Sequence, residues 1–406
     1  MMTDLCMYFQ IHQPHRMRKY TIFDIGKNPD YFDDNKNREV MEKVAKKCYL
    51  PATQVLIDNA LAHPGRFKCA FSITGVALDQ MEKSAPEVIS KLQELNSTGC
   101  VEFLGETYYH SLSYLFNKDE FRSQVESHDK KIQQLFGQKP QVFRNTELIY
   151  YNELASVVES MGYKAILAEG ADHVLGWRSP NFVYHAKTTK GLKLLLKNYK
   201  LSDDIAFRFS QRTWEGWPLT ASKFIDWAHP QLGDSINLFM DYETFGEHQW
   251  EDTGIFEFMR HMPAEALSRG MGFKKPSELL AVPAKDEIDM HTPVSWADVE
   301  RDTSAWLGNK MQDHAAAKLY SLREAVIGTG DARLIEDWRK LTTSDHFYYM
   351  CTKWFNDGDV HKYFNPYETP YESYIAFMNI LQDLQMRCET IDHAKTISAE
   401  AQSQAM

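Results

Sequence analysis

Seven short apolar segments punctuate the chain: Leu5–Ile11, Phe67–Ile73, Val101–Leu104, Val142–Leu148, Ala165–Ala168, Leu192–Leu196 and Ile236–Met240. Each is the length of a buried strand. Between the first of them, Arg38–Ala62, Ala85–Leu95, Lys118–Phe136 and Asn152–Met161 space their apolar residues three and four apart, which predicts amphipathic helices. The alternation is that of a parallel α/β sheet. Gly162, just before Tyr163, supplies the left-handed residue that ends a helix and returns the chain to the sheet. From about Asp252 the alternation fades, and Ile255–Leu267, Ala315–Val326 and Tyr374–Met386 keep only the helical spacing. The pattern predicts an α/β barrel domain over residues 1–270. A mainly helical region, 271–394, is expected to pack on the barrel and contribute to the site, and a polar tail, 395–406, is expected to fray.

Composition narrows the partners. A formal net charge of −11 lacks the basic field that a nucleic-acid backbone requires, so a neutral substrate fits better. No window approaches the ~18 apolar residues of a membrane span, and Met1-Met2-Thr3-Asp4 does not open a signal peptide, so a cytoplasmic location is expected. The six cysteines are scattered without a CxxC spacing and read as reduced core residues. The 9 Trp, 20 Tyr and 23 Phe exceed what packing requires, which points to aromatic side chains lining a groove.

Chemistry concentrates where the apolar segments end. The fourth leads into Arg144-Asn145-Thr146-Glu147, and the seventh into Asp241-Tyr242-Glu243-Thr244-Phe245-Gly246-Glu247-His248. A strand buried on both faces has no place for a carboxylate in its middle, whereas at the carboxyl end of a barrel strand the group can face a substrate. The first segment runs into His12-Gln13-Pro14-His15, where Pro14 ends the strand and leaves polar side chains at the rim. The third delivers Glu106, Tyr108, Tyr109 and His110. Two carboxyl groups about 5 to 5.5 Å apart across a glycosidic bond can divide a retaining cleavage between nucleophile and acid/base. In an ideal strand Glu243 would share the face of Asp241, so both could face substrate.

The histidines His12, His15, His110, His173, His248, His291 and His346 raise a metal reading, but neither an HExxH motif nor any ligand spacing supports it, and no metal or other cofactor is expected. Trp214, Trp217, Trp227, Trp250, Trp296 and Trp306 form an aromatic set on which sugar rings could stack, with Trp214, Trp217 and Trp250 flanking polar turns as plausible subsites. The ordinary alternatives are core packing and, around Trp296 and Trp306, a charged helix face with i,i+4 pairs.

Five segments in order resemble glycoside hydrolase family 57, in particular its α-amylase-like members. His12-Gln13-Pro14 is similar to the family's first motif, Gly105-Glu106-Thr107 to the second, Asn145-Thr146-Glu147-Leu148-Ile149-Tyr150 to the third and Asp241–His248 to the fourth. Thr342-Thr343-Ser344-Asp345-His346-Phe347-Tyr348-Tyr349-Met350 is similar to the fifth. The resemblance implies an incomplete, TIM-like (β/α)7 barrel with a helical carboxyl-terminal region. It also implies a retaining mechanism on α-1,4-linked glucans, with Glu147 as nucleophile and Asp241 as general acid/base. His12, Glu106, Glu243, His248 and Asp345 would then bind hydroxyls; apart from the resemblance, Gln13, His15, Trp214, Trp217, Trp306, His346 and Tyr348 are further candidate substrate contacts. A maltodextrin, starch or glycogen-like substrate follows, with no nucleic acid or membrane partner. Three alternatives stay open: a 4-α-glucanotransferase using the same carboxylates, a metal-dependent polysaccharide deacetylase, and a non-catalytic glucan-binding protein.

Overall fold

The computed structural model describes residues 2–353 and 365–404. Its strands are β1 (Asp4–Ile11), β2 (Cys69–Ile73), β3 (Val101–Phe103), β4 (Val142–Arg144), β5 (Ala165–Glu169), β6 (Tyr184–Ala186), β7 (Lys193–Lys197), β8 (Ser235–Asp241) and β9 (Glu287–Ile288). They form two sheets, of order β3-β2-β1-β8 and β4-β5-β7-β6-β9. At one seam Gly105 bridges Phe143, with its N–H 2.9 Å from the Val142 carbonyl and its carbonyl accepting the Arg144 N–H at 2.8 Å. At the other, the Asn198 N–H donates to the Asn237 carbonyl at 2.9 Å, and the Asn237 amide returns a bond to the Leu196 carbonyl at 2.8 Å. The strands therefore follow the order β1-β2-β3-β4-β5-β7-β8 of a TIM-like (β/α)7 fold, with parallel pairing within both sheets along this path.

All seven apolar segments contain a strand, and the helices Lys118–Phe136 and Asn152–Ser160 fall where the spacing places them. Two short strands escape the pattern. β6 runs antiparallel to β7, and β9 pairs with β6; at three and two residues they are too short to show a period. The fourth segment also stops early, because after Arg144 the chain leaves the strand and enters a tight turn.

The chain divides into two compact units, Met1–Gln13 with Arg38–Tyr108 and Ser123–Asp302, and Pro14–Asn37 with Tyr109–Arg122 and Thr303–Met406. The first holds the sheet. Inside it, Cys6, Tyr8, Ala70, Leu104, Val142, Leu167, Leu195 and Phe239 pack as one apolar cluster. The second is helical. Its long helix Pro370–Gln404 buries Asp383, which accepts from the Tyr31 hydroxyl at 2.6 Å and so ties the Pro14–Asn37 segment down. All six cysteines are buried and unbridged. Among the described residues no helix is long and apolar enough to cross a membrane.

Candidate active site

Side chains two residues apart on a strand share a face. Stepping that distance from the apolar cluster toward the carboxyl end of each strand reaches Gln10, Ser72, Glu106, Arg144, Glu169, Lys197 and Asp241. Gln10 pairs in register with both Ser72 and Asp241, and Glu169 with Lys197, while Arg144 pairs with Leu167, two residues short of Glu169. A polar, charged layer thus caps the apolar interior. All but the half-buried Asp241 are buried. Burial at low dielectric demands partners, and most of the layer supplies its own. Glu106 accepts from the Ser72 hydroxyl and from the Gln10 amide at 3.3 and 3.4 Å. Glu169 faces Lys197 at 3.8 Å and Arg301 at 3.1 Å; burial still pushes its carboxyl up.

Glu147 projects from the turn that follows β4. Its backbone is left-handed, φ 57° and ψ 25°, and so is Leu148 at φ 51°. Two consecutive non-glycine residues in this region are strained, at roughly 1–3 kcal/mol each, and surrounding bonds must hold them. The Leu148 N–H reaches the Asn145 carbonyl at 3.0 Å, the Asn145 amide reaches the Ile149 carbonyl at 3.0 Å, and the Thr146 hydroxyl meets that of Thr107 at 2.9 Å. The Trp296 indole N–H donates to Glu147 Oε2 at 2.8 Å.

Asp241 closes β8, and since both strands run parallel to the rest of the path, it and Glu147 emerge at the same end. β8 does not continue past it. Tyr242–Thr244 form a 3₁₀ turn, so the ideal-strand face shared by Asp241 and Glu243 does not extend that far. Glu243 is buried instead, accepting from the Tyr49 hydroxyl and from the Gln13 amide at 3.4 Å. Burial, followed by the negative charge of Asp241, pushes its carboxyl up to about 8. His12 lies 3.0 Å from the Thr74 hydroxyl through Nδ1, and His248 is half-buried at the end of the same turn as Glu243.

The remaining candidates divide between the two units. Trp214 is half-buried edge-on to Trp227, and Trp217 is 43% exposed, both in the first unit. His15, Trp306, Asp345, His346 and Tyr348 belong to the second, where Trp306 is buried and tilted against Tyr348. Ser295–Arg301 is a loop rather than a charged helix face; helix begins only at Ser304. Among the described residues no three His, Cys, Asp or Glu side chains gather as a metal site.

Sequence reasoning missed Arg144, Glu169, Lys197 and Arg301 as members of this neighbourhood, and had Trp296 only as one of six tryptophans that could stack on sugar. For the first three the signal was available, because a polar residue follows each apolar strand at the two-residue step. Trp296 and Arg301 come from a loop with no periodic mark.

A family model described as glycosyl hydrolase family 57 matches residues 6–291. A protein of Methanocaldococcus jannaschii described as a putative alpha-amylase is 42% identical over 395 residues, 93% of this chain and 83% of that one. Solved structures share the fold at low identity. The 4-alpha-glucanotransferase of Thermococcus litoralis superposes with a TM-score of 0.68 at 14% identity over 94% of this chain and only 59% of its own. A branching enzyme of Thermococcus kodakaraensis gives 0.66 at 15% identity, over 94% and 88%. An alpha-amylase of Thermotoga maritima gives 0.59 at 11%, over 95% and 93%.

Proposed function

We propose that this chain, which belongs to glycosyl hydrolase family 57, cleaves α-1,4-glucosidic bonds of maltodextrin, starch or glycogen-like glucans with retention of configuration. Glu147 attacks the anomeric carbon to form a glycosyl-enzyme. Asp241 protonates the departing glucosyl oxygen and then takes the proton from the water that releases the sugar. The observation that carries the reading is the emergence of these two half-buried carboxylates at one end of parallel strands, beside a layer of buried charge. The relative described as a putative alpha-amylase favours hydrolysis.

Within this reading His12, Gln13, Glu106, Glu243, His248, Trp214 and Trp217 serve the substrate from the first unit. Asp345, His346 and Tyr348 are assigned to it by motif order, His15 by its place after the first strand, Trp306 by its aromatic ring, and the helical region 271–394 by the lack of a linker before it. A 4-α-glucanotransferase would use the same first half-reaction and differ in letting a sugar hydroxyl, rather than water, resolve the intermediate. Two of the solved relatives are named for transfer and branching, which keeps that second reading.

Time-resolved products from maltoheptaose separate the two. Hydrolysis yields only shorter chains with a matching rise in reducing ends, and transfer yields longer ones. Glu147→Gln keeps the shape of the side chain and removes the nucleophile, so turnover should fall by at least about 10³-fold. Turnover near wild type in that variant would remove Glu147 from the role.

A further inference from the structure

Trp296 bonds to Glu147 twice. Besides the indole bond to Oε2 at 2.8 Å, its backbone N–H lies 3.3 Å from the Glu147 carbonyl. The loop that carries it is stitched to the same turn, because Tyr150 and Val294 exchange both backbone bonds at 2.9 Å. Arg301 then fixes the loop from below. One guanidinium nitrogen donates to the Trp296 carbonyl at 2.6 Å and to Glu169 Oε2 at 3.1 Å, and another lies 3.6 Å from Asp203.

Two cations of the buried layer lie against the indole ring, Arg144 at 4.8 Å and Lys197 at 5.3 Å from its centroid. Arg144 is the informative one. It is fully buried, and none of its three side-chain nitrogens has a hydrogen-bond partner within the described residues. A buried guanidinium is costly, and its contact with the ring offsets part of that cost. Cations on the π-face draw electron density from the ring and make the indole N–H a stronger donor. The N–H points at the carboxylate that must stay ionised to attack.

We propose that Trp296 is a positioning residue for the nucleophile: its indole N–H, polarised by Arg144 and Lys197 and braced by Arg301, holds the Glu147 carboxylate in the attacking orientation. The inference rests on Glu147 being the nucleophile. Among the described residues, charged groups near the pair include Arg144 on β4, Glu169 on β5, Lys197 on β7, Asp203 on the helix Tyr199–Ala206 and Arg301 within the loop, and Asp241 ends β8 at the same end of the strands.

Trp296→Phe keeps an aromatic ring near the two cations and removes the N–H donor together with the five-membered ring. The expected result is a fall in kcat of about 10- to 100-fold with KM changed much less. The acid limb of the kcat/KM profile should also move up by about one pH unit, because a bond that favoured the ionised carboxylate is gone. Trp296→His, which restores an N–H donor, should recover part of kcat. A second readout needs no substrate and no tryptophan variant: the Trp296 indole proton resonance, assigned in labelled wild-type protein, should titrate with pH and stop titrating in Glu147→Gln.

Wild-type kcat and an unmoved acid limb in Trp296→Phe, or an indole resonance indifferent to Glu147→Gln, would overturn the proposal. If the indole titrates with Glu147 but wild-type protein turns over no α-glucan, the clamp stands and the substrate assignment falls.

Discussion

A carboxylate inside a protein must be hydrogen-bonded, ion-paired or protonated, and four glutamates of the first unit use these in different measure. Glu106 is satisfied by Gln10 and Ser72. Glu169 and Glu247 are paired, the latter with Lys43 at 2.6 Å and Lys47 at 3.5 Å. Glu243 takes the third course, its carboxyl pushed up to about 8 by burial and by Asp241. The native state therefore holds a proton that the unfolded chain releases near its ordinary value of about 4.3, and stability contributed by this group is lost as pH rises from that value through about 8. Glu243→Gln removes the titration while keeping an acceptor for Tyr49. Its melting temperature relative to wild type should rise between pH 5 and pH 8, with roughly 4 kcal/mol as the upper bound on the gain. A pH-independent difference would show that Glu243 is ionised in the native state.

At the scale of elements, the site depends on what happens just past each strand. Strand positions were legible in the sequence because strands buried on both faces are continuously apolar, and that pattern survives any tertiary detail. The turn after β4 was not, since Asn145–Leu148 carries no glycine to announce two left-handed residues, and bonds from Asn145 and Thr107 hold it. The Trp296 loop was equally hidden. A single ring that reaches a carboxylate 149 positions away leaves no trace in local spacing. Motif order, by contrast, named both rim carboxylates. At the seam between the sheets, a Cβ on Gly105 would stand 2.1 Å from the Tyr163 hydroxyl, which itself donates to Asp129 at 2.6 Å. Gly105→Ala should therefore cost ~2 kcal/mol by overpacking, read as a lower melting temperature. An unchanged melting temperature would mean that Tyr163 moves aside freely.

For the whole molecule, the fold is shared by enzymes named for transfer, branching and amylolysis, so architecture alone does not select among them. What the proposed readings have in common is a covalent glycosyl-enzyme on one residue, and that intermediate is the central claim. The direct measurement is to trap it with a 5-fluoro-α-glycosyl fluoride, whose fluorine slows both steps while the good leaving group preserves the first, and then to locate the added mass by peptide mass spectrometry. The prediction is a single glycosyl adduct on Glu147, absent from Glu147→Gln. An adduct on a different carboxylate, or steady turnover of the reagent with no adduct at any time point, would contradict it.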